Sequence, residues 1–212
     1  MTKQFAVIGN PIEQSRSPEL HHAFAQKTGI DLHYSKRLAP LDGFEANIKE
    51  FFAQGGIGMN VTVPFKELAY QLAEQLSERA LQAGAVNTLY IDKAGVLCGD
   101  NTDGIGFIAN LRQHAPHWKP ADGPAAVLGA GGAARAVVAA LIEFGAPEIR
   151  IANRTRPRAD ALRADFGAKV TVYDWVHAGN MLEGAATVIN TTALGMTGKQ
   201  DFRVPMDALS RG

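Results

Sequence analysis

The sequence predicts an α/β protein of two domains built around largely parallel sheets. Short apolar runs alternate with stretches of helical periodicity along most of the chain, which is the pattern of α/β domains. One apolar run leads through a glycine-rich turn into an alanine-rich helical stretch. A proline-containing segment without periodicity precedes that run and indicates a linker. We expect domains over residues 1–102 and 103–212, with the boundary near Asn101–Gly104.

Composition and charge indicate an ordinary globular protein. The 212 residues include 21 Lys plus Arg and 21 Asp plus Glu, so no net charge attracts the chain to nucleic acid or to a membrane surface. The single cysteine, Cys98, excludes an internal disulfide framework, and the histidines fit no zinc-ligand spacing. The N-terminus lacks the pattern of a signal peptide, and no apolar stretch is long enough for a bilayer. We expect a cytoplasmic protein with no metal, nucleic-acid or membrane partner.

The first strand, loop and helix place two serines at a helix N-terminus. Phe5–Gly9 is predicted as a strand, and Pro18 opens a helix that runs to about Thr28. Ser17 is then the natural N-cap, and Ser15 lies on the same side of an extended segment. Ser17 therefore either caps the helix or joins Ser15 and the helix N-terminus in holding a carboxylate.

The next elements bring polar side chains to the end of a strand. Tyr34–Leu38 is predicted as a strand, Phe44–Gln54 as a helix, and the segment MNVTVPFK as a strand that leads into a helix. Strand alternation points Asn60 and Thr62 away from the apolar side chains of that strand. Polar groups at the carboxyl end of a strand face the crevice in which open α/β sheets bind ligands.

Lys66 occupies an unfavourable place for a positive charge. Pro64 fits the first turn of the helix that follows, so Lys66 lies in that turn, where the helix dipole disfavours a cation. Lys66 is then either a solvated lysine at a helix start or a member of the polar set formed with Asn60 and Thr62.

A further group of polar residues surrounds a predicted hairpin. Strands are predicted at Thr88–Ile91 and Val96–Gly99, with Asn87 before the first and the sequence NTDG after the second. Apolar residues recur at helical spacing after NTDG, so Thr102 or Asp103 either caps that helix or belongs to the site.

The glycine-rich turn has the spacing of a dinucleotide-binding site. Ala125–Leu128 is an apolar strand, and Gly129, Gly131 and Ala134 follow it at the fingerprint spacing. Gly129 permits the turn, and Gly131 lets a pyrophosphate approach the backbone at the helix N-terminus. The alternative is a tight turn without a ligand. We predict a Rossmann-type, doubly wound domain whose further strands are Ile149–Ala152, Val170–Tyr173 and Thr187–Asn190.

The residues after the second strand of this domain favour NADP over NAD. An NAD site places a carboxylate about twenty residues beyond the glycine turn, but this chain has Asn153 and Arg154 there. Five arginines and one aspartate lie within residues 150–163. Arginine binds a 2′-phosphate that a carboxylate would repel, so we assign Arg154 and Arg158 to that phosphate. The alternative is a solvated basic helix face, which would account for Arg156 and Arg163.

Several short motifs together resemble the shikimate dehydrogenase family. They are SRSPELHH, NVTVPFK, GAVNT, GDNTDGIGF, GAGGAAR, NRTRPR and NTTALGM, and they follow that family's order along almost the whole chain. The combination is far more specific than any one motif. The resemblance implies an N-terminal α/β substrate domain followed by a Rossmann-type NADP-binding domain.

The resemblance also implies roles for individual residues. It makes Lys66 and Asp103 the catalytic pair. The positions that match substrate binding are Ser15 and Ser17 for a carboxylate, and Asn60, Thr62, Asn87 and Asp103 for ring hydroxyls. The positions that match NADP binding are Gly129, Ala130, Gly131, Gly132, Ala133, Arg135, Asn153, Arg154, Thr155, Arg158, Thr191 and Met196.

Two departures from the family pattern stand out. His22 replaces a common asparagine, which puts little in doubt. The sequence ends at Gly212, whereas family members continue through more of the cofactor domain and return to the substrate domain with a helix. We therefore expect a nucleotide domain that lacks its last strands and its return helix.

The resemblance implies an NADP-dependent shikimate dehydrogenase, which reversibly reduces 3-dehydroshikimate to shikimate on the route to chorismate and the aromatic amino acids. Its partners are then NADP(H) and this small-molecule substrate, and the protein is a monomer or a homodimer. One alternative is a quinate/shikimate dehydrogenase with broader cofactor use. The other is a non-catalytic dinucleotide-binding protein, which the presence of both Lys66 and Asp103 disfavours.

Overall fold

A computed structural model of the chain describes residues 2–196 and 198–209. They form two compact units, one ending at Thr102 and the other starting at Asp103. Gly212, the last residue of the sequence, lies outside the described residues. The α/β fold predicted from the sequence is confirmed. None of the helices that the structure describes is long and apolar enough to cross a bilayer.

The first unit contains a six-stranded mixed sheet. Its strands are β1 (Lys3–Gly9), β2 (Leu32–Leu38), β3 (Gly56–Val61), β4 (Gln75–Leu76), β5 (Thr88–Ile91) and β6 (Leu97–Asp100), in the spatial order β2-β1-β3-β5-β6-β4. β1 pairs in parallel with β2 and β3, and β4 with β6, whereas β5 runs antiparallel to both β3 and β6. The pairing of β5 with β6 is antiparallel because a tight turn at residues 93–95 joins them as a hairpin.

The described part of this unit contains four helices. They are α1 (Ser17–Thr28), α2 (Phe44–Ala53), α3 (Lys66–Leu72) and α4 (Glu78–Ala83). The core includes Ile8, Ile48 and Leu89, together with Phe44 and Phe65, whose rings stack with their centroids 4.7 Å apart. The short elements β4 and α4 were not predicted from the sequence.

The start of α3 differs from the prediction. The helix begins at Lys66 rather than at Pro64. The Phe65 N–H donates to the Thr62 carbonyl oxygen at 3.0 Å, which closes a turn over Pro64 before the helix can begin. Lys66 nevertheless occupies the first helical turn, as predicted.

The second unit contains a four-stranded parallel sheet. Its strands are β7 (Ala125–Leu128), β8 (Ile149–Ala152), β9 (Val170–Tyr173) and β10 (Thr187–Asn190), and its helices are α5 (Asp103–His114), α6 (Gly132–Glu143) and α7 (Arg156–Phe166). The spatial order β10-β7-β8-β9 is that of the first four strands of a Rossmann-type sheet. The four strands coincide with the predicted ones, so that part of the prediction is confirmed.

β7 lies in the middle of this sheet and is buried on both faces. Ala125 and Val127 pack in one apolar cluster with side chains of α6. Ala126 and Leu128 pack on the opposite face in a second cluster that includes Met181. The carboxyl end of β7 therefore holds the glycine turn between β8 and β10, the position at which such sheets bind ligands.

Candidate active site

Hydroxyl and amide side chains of the first unit meet at the end of β3 and the start of β5. We call this set the hydroxyl–amide cluster, and its members are Ser15, Ser17, Tyr34, Asn60, Asn87, Thr88 and Thr102. Each shares at least one side-chain hydrogen bond with another member. The cluster combines four of the predicted substrate-binding residues with Thr102, which the sequence left open as a helix cap or a site residue, and with Tyr34 and Thr88, which were not predicted for the site.

Asn60 links the cluster across the sheet. It faces Thr88 in the antiparallel register of β3 and β5. Its Oδ1 accepts a hydrogen bond from the Tyr34 hydroxyl at 2.6 Å. Its Nδ2 donates to Thr88 Oγ1 at 3.2 Å and to the Asn87 carbonyl oxygen at 3.3 Å. The orientation of the Asn60 amide is therefore fixed from both ends.

Asn87 is buried and holds the segment that leads to α5. Its Oδ1 accepts the Thr102 backbone N–H at 3.1 Å, and its Nδ2 donates to Thr102 Oγ1 at 2.9 Å. Asp103, the next residue in the chain, is the first residue of α5 in the second unit. Thr102 is thus tied to Asn87 through both its backbone and its hydroxyl.

Asp100 anchors the end of β6 just before this segment. Burial acts to raise the pKa of its carboxyl, but hydrogen bonds from Arg79 and Ser77 and from the Asn101 backbone outweigh that effect, so the pKa lies below its ordinary value. The Asn101 side chain is buried and donates to the Ala85 carbonyl oxygen at 2.8 Å. Hydrogen bonds at the Asp100 carboxylate and from the Asn101 side chain therefore hold the two residues that precede Thr102.

The two serines meet as predicted, but Ser17 does not cap α1. Ser17 is the first helical residue, and the N-cap residue, Arg16, makes no side-chain capping bond. The Ser17 backbone N–H instead donates to Ser15 Oγ at 3.4 Å, and the two hydroxyl oxygens lie 3.3 Å apart. The prediction of an N-cap at Ser17 is wrong because Ser17 is already helical and its hydroxyl pairs with that of Ser15.

Thr62 directly follows β3, the strand that contains Asn60, and Lys66 begins α3. The Thr62 N–H donates to the Ile8 carbonyl oxygen at 2.9 Å, which continues the β1–β3 pairing. The Lys66 carbonyl oxygen accepts the Val86 N–H at 2.9 Å. Lys66 is half-buried, and this backbone hydrogen bond links it to Val86, the residue before Asn87.

Sequence reasoning missed Tyr34, Thr88 and His21. The His21 ring stacks on the Tyr34 ring with centroids 4.1 Å apart, and its Nδ1 lies 2.9 Å from the Ser17 carbonyl oxygen. A weak signal was available, since Tyr34 is the aromatic residue of a short strand whose following residues are mostly polar. Its partner Asn60 lies in another strand, so no local pattern predicts their contact.

In the second unit, Gly129 adopts a backbone conformation that favours glycine. Its φ is +107°, and a Cβ there would lie 2.6 Å from Thr191 Oγ1. Thr191 is held in place because its N–H and its hydroxyl both donate to the Leu128 carbonyl oxygen, at 2.8 and 2.7 Å. The turn after β7 therefore packs closely against the segment after β10.

The start of α6 fits a phosphate group. Gly131 precedes the helix in an extended conformation, and a Cβ there would meet nothing within 4 Å. Gly132 and Ala133 follow as the first helical residues, and no side chain in the described ranges caps this N-terminus. An uncovered helix N-terminus next to open space is a favourable place for an anion.

A cavity of about 400 Å³ adjoins this turn. It brings together several predicted cofactor residues from three segments, with Trp175 and a later loop completing the wall. The described lining residues are Gly129, Ala130, Gly131, Asn153, Arg154, Trp175, Thr191, Thr192, Ala193, Leu194, Gly198, Lys199 and Gln200. They include two cations and no carboxylate, which fits an NADP phosphate better than the ribose hydroxyls of NAD. Met196 lies in the same loop, with 48% of its surface exposed, but is not among these residues.

The arginines near the cavity have different partners. The exposed Arg154 guanidinium donates to Gln200 Oε1 at 3.1 Å. Arg156 instead pairs with Asp174, and the Arg135 guanidinium pairs with an Asp165 carboxylate oxygen at 2.6 Å. Arg154 therefore lies in the cavity wall, whereas Arg135 and Arg156 form ion pairs with carboxylates.

The remaining predicted cofactor residues lie at the start of α7. Asn153 Nδ2 donates to the Thr155 carbonyl oxygen at 2.8 Å, which fixes the turn after β8. Thr155 is the residue before the helix, and Arg158 lies exposed in its first turn. Within the described ranges, no group of three or more His, Cys, Asp or Glu side chains could hold a metal ion.

Comparison with known families covers both units. The model of the shikimate dehydrogenase substrate binding domain matches residues 7–89. The model named shikimate / quinate 5-dehydrogenase matches residues 113–197. The first match contains most of the hydroxyl–amide cluster, and the second contains the glycine turn.

Individual proteins agree with these models. A shikimate dehydrogenase (NADP(+)) of Cereibacter sphaeroides is 58% identical over 208 residues, which cover 96% of this chain and 73% of that protein. The shikimate dehydrogenase structure from Aquifex aeolicus superposes with a TM-score of 0.87 at 31% identity, covering 98% of this chain and 75% of that one. The shikimate 5-dehydrogenase of Thermus thermophilus, solved in complex with NADP(H) and shikimate, gives a TM-score of 0.78 at 36% identity, covering 92% and 70%.

Proposed function

The chain belongs to the shikimate dehydrogenase family and is an NADP-dependent oxidoreductase acting on a ring CH–OH group, and from that premise we propose how its residues divide the work. Residues 1–102 bind shikimate or 3-dehydroshikimate, and residues 103–212 bind NADP(H). The observation that carries this proposal is the hydroxyl–amide cluster in one unit, with the arginine-lined cavity beside the glycine turn in the other.

The cluster offers hydrogen-bonding groups suited to a hydroxylated carboxylic acid. Ser15 and Ser17 present two adjacent hydroxyls at the start of α1, and hydroxyl donors with a helix N-terminus stabilise a carboxylate. We assign ring hydroxyls to Asn60, Thr62, Asn87 and Asp103. Amides and carboxylates of fixed orientation discriminate among hydroxyl positions, because an unmatched polar group costs binding energy.

Lys66 is the acid–base group in this proposal. During reduction its ammonium group donates a hydrogen bond to the ring carbonyl oxygen and gives that oxygen a proton as the carbonyl becomes an alcohol. During oxidation the amine takes the proton back. When bound, NADPH supplies the hydride that the carbonyl carbon receives. Asp103, the second member of the catalytic pair, accepts a hydrogen bond from a ring hydroxyl and thereby orients the ring.

Cofactor binding is assigned to the glycine turn and Arg154. Gly131 and the first residues of α6 hold the pyrophosphate, and Arg154 holds the 2′-phosphate with Arg158 nearby in the chain. Asn153, Thr155 and Thr191 shape the surrounding loops.

We further propose that the protein works in the cytoplasm as a monomer or homodimer. The thiol of its single cysteine is free and buried.

Arg154→Ala is expected to weaken NADP binding while leaving NAD binding nearly unchanged. A charge-assisted hydrogen bond contributes about 1.5 to 3 kcal/mol, so the Kd for NADP should rise roughly ten- to a hundredfold. Isothermal titration calorimetry with both cofactors measures this. Arg163→Ala is the matched control, since Arg163 is an exposed arginine in the last turn of α7, the helix that follows Arg154. An equal loss for NADP and NAD would contradict the assignment of Arg154 to the 2′-phosphate.

The function is tested by following NADPH formation in absorbance after adding shikimate and NADP. We expect turnover with this pair and much slower turnover when quinate replaces shikimate or NAD replaces NADP. Comparable rates with quinate and NAD would favour the broader dehydrogenase. NADP binding without turnover of either acid would favour the non-catalytic dinucleotide-binding protein.

A further inference from the structure

We propose that Tyr34 is a positioning residue of the substrate site, whose phenol fixes the oxygen end of the Asn60 amide in a chain of hydrogen bonds. This inference rests on the proposed function, since it concerns how that same site recognises its substrate. It adds a residue of β2 to a site otherwise built from the start of α1, from β3 and from the segments before β5 and after β6.

The chain of hydrogen bonds starts at the phenol. Its O–H donates its single proton to Asn60 Oδ1 at 2.6 Å. The serine pair lies beside the His21 ring, which stacks on Tyr34 and whose Nδ1 is 2.9 Å from the Ser17 carbonyl oxygen.

Beyond Asn60 the chain continues in the same direction. Asn60 Nδ2 donates to Thr88 Oγ1 at 3.2 Å, and Thr88 donates onward to Asn87 Oδ1 at 2.9 Å. Asn87 Nδ2 then donates to Thr102 Oγ1 at 2.9 Å. Hydrogen bonds aligned in one direction polarise and strengthen one another, so each link affects its neighbours.

Tyr34 fixes the oxygen end of the Asn60 amide, while the Asn87 carbonyl oxygen and Thr88 fix its amino end. The second lone pair of Asn60 Oδ1 then remains available to accept from a substrate hydroxyl. Without the phenol, the oxygen end loses this hydrogen bond, so Oδ1 is held less precisely and recognition of that hydroxyl weakens.

The surroundings of Tyr34 hold the phenol in place. The residue is 3% exposed and packs with Val7 and Ile12. The His21 ring stacks on it at an interplanar angle of 14°. Its backbone N–H, on the edge strand of the sheet, donates to His22 Nε2 at 3.1 Å. His21 and His22 of α1 therefore both contact Tyr34, one at its ring and the other at its backbone.

Burial also keeps the phenol protonated. It raises the pKa of Tyr34 well above the ordinary value, and the nearby Ser17 side chain opposes this only in part. Tyr34 is therefore a donor throughout the neutral and mildly alkaline range.

Tyr34→Phe tests the proposal because it removes the hydroxyl and keeps the stacked ring. We expect the KM for shikimate to rise about tenfold, equivalent to about 1.4 kcal/mol, with the KM for NADP unchanged. Tyr90→Phe is the matched control, since it removes an exposed hydroxyl outside the cluster in the same unit. A purely structural role would lower the melting temperature of Tyr34→Phe without the selective change in KM, and that result would overturn the proposal.

A double-mutant cycle tests the coupling itself. Asn60→Ala is expected to raise the KM for shikimate strongly in the wild-type background and much less in the Tyr34→Phe background, because the phenol acts through the Asn60 amide. Multiplicative effects would overturn the coupling. If the wild-type protein does not oxidise shikimate at all, the proposed function fails. If the wild-type protein oxidises shikimate and Tyr34→Phe has the same KM for shikimate, the positioning role fails and the proposed function stands.

A second measurement needs no change at Tyr34 and decides the question if Tyr34→Phe does not fold. The chain has four tyrosines, so protein labelled with ¹³C at tyrosine Cζ gives resonances that Tyr70→Phe, Tyr90→Phe and Tyr173→Phe assign by elimination. We expect shikimate to shift the Tyr34 resonance and to leave the Tyr90 resonance in place. A Tyr34 resonance that does not respond to saturating shikimate would overturn the proposal.

Discussion

Lys66→Ala is expected to lower the kcat for shikimate oxidation by a factor of about 10² to 10⁴, the range for removal of a general acid–base group. The affinity for NADP should not change, because the variant leaves the second unit intact. The fold should also survive, since the Lys66 carbonyl oxygen still accepts the Val86 N–H and alanine favours the helix. Steady-state kinetics measures the first effect, and calorimetry with NADP measures the second.

Lys93→Ala is the control for this variant. Lys93 is an exposed lysine in the turn between β5 and β6, so its loss removes a positive charge from the same unit without touching the cluster. Near-normal turnover by Lys66→Ala would show that Lys66 is the solvated lysine of the alternative interpretation.

Gly129→Ala is expected to destabilise the protein by about 2 to 5 kcal/mol and to abolish measurable NADP binding. A left-handed conformation costs a residue with a Cβ about 1 to 2 kcal/mol, and overpacking typically adds about 1 to 3 kcal/mol. Both apply here, because φ is +107° and the new Cβ would lie 2.6 Å from Thr191 Oγ1. Relief of that contact must move the turn or the segment after β10, and both line the cavity.

Gly184→Ala separates the two costs. Gly184 also has a positive φ, of +63°, but a Cβ there meets nothing within 4 Å. This control should lose about 1 to 2 kcal/mol and bind NADP normally. Chemical denaturation and calorimetry compare the variants. If Gly129→Ala and Gly184→Ala were equally destabilised and bound NADP equally well, close packing of Gly129 against Thr191 would be unimportant.

The strands of the second unit could be predicted because their signals are local. β7 to β10 are short apolar or β-branched runs bounded by turns, and a strand buried on both faces has that pattern. The helix starts in the first unit were less predictable. Ser17 has the residue type of an N-cap, but it is the first helical residue of α1 and its hydroxyl pairs with that of Ser15 in the preceding loop.

The same distinction applies to the candidate site. The glycine turn and Arg154 belong to one local strand–turn–helix–strand unit, so spacing alone pointed to them. Local sequence could not show that Arg135 and Arg156 pair with Asp165 and Asp174, which are brought near by the fold. Arg154 and Arg156, two residues apart in the basic stretch, therefore look alike in sequence but differ in their partners.

Tyr34 shows the limit most clearly. The sequence predicts only that Tyr34 begins a strand, and nothing nearby indicates that its hydroxyl has a partner. Asn60 meets it because β1 brings β2 and β3 to its two sides. Long-range pairing of strands thus creates the contact, and pattern analysis of one segment cannot reveal it.

Isotope transfer tests the central claim, that this chain moves hydride directly between bound NADP(H) and the substrate ring. 3-Dehydroshikimate is reduced in ordinary water with NADPH that is fully deuterated at nicotinamide C4, and the shikimate formed is examined by NMR. We predict deuterium on the ring carbon that carried the carbonyl group, with the new hydroxyl proton taken from water through Lys66. Shikimate carrying solvent-derived hydrogen at that carbon would contradict the account.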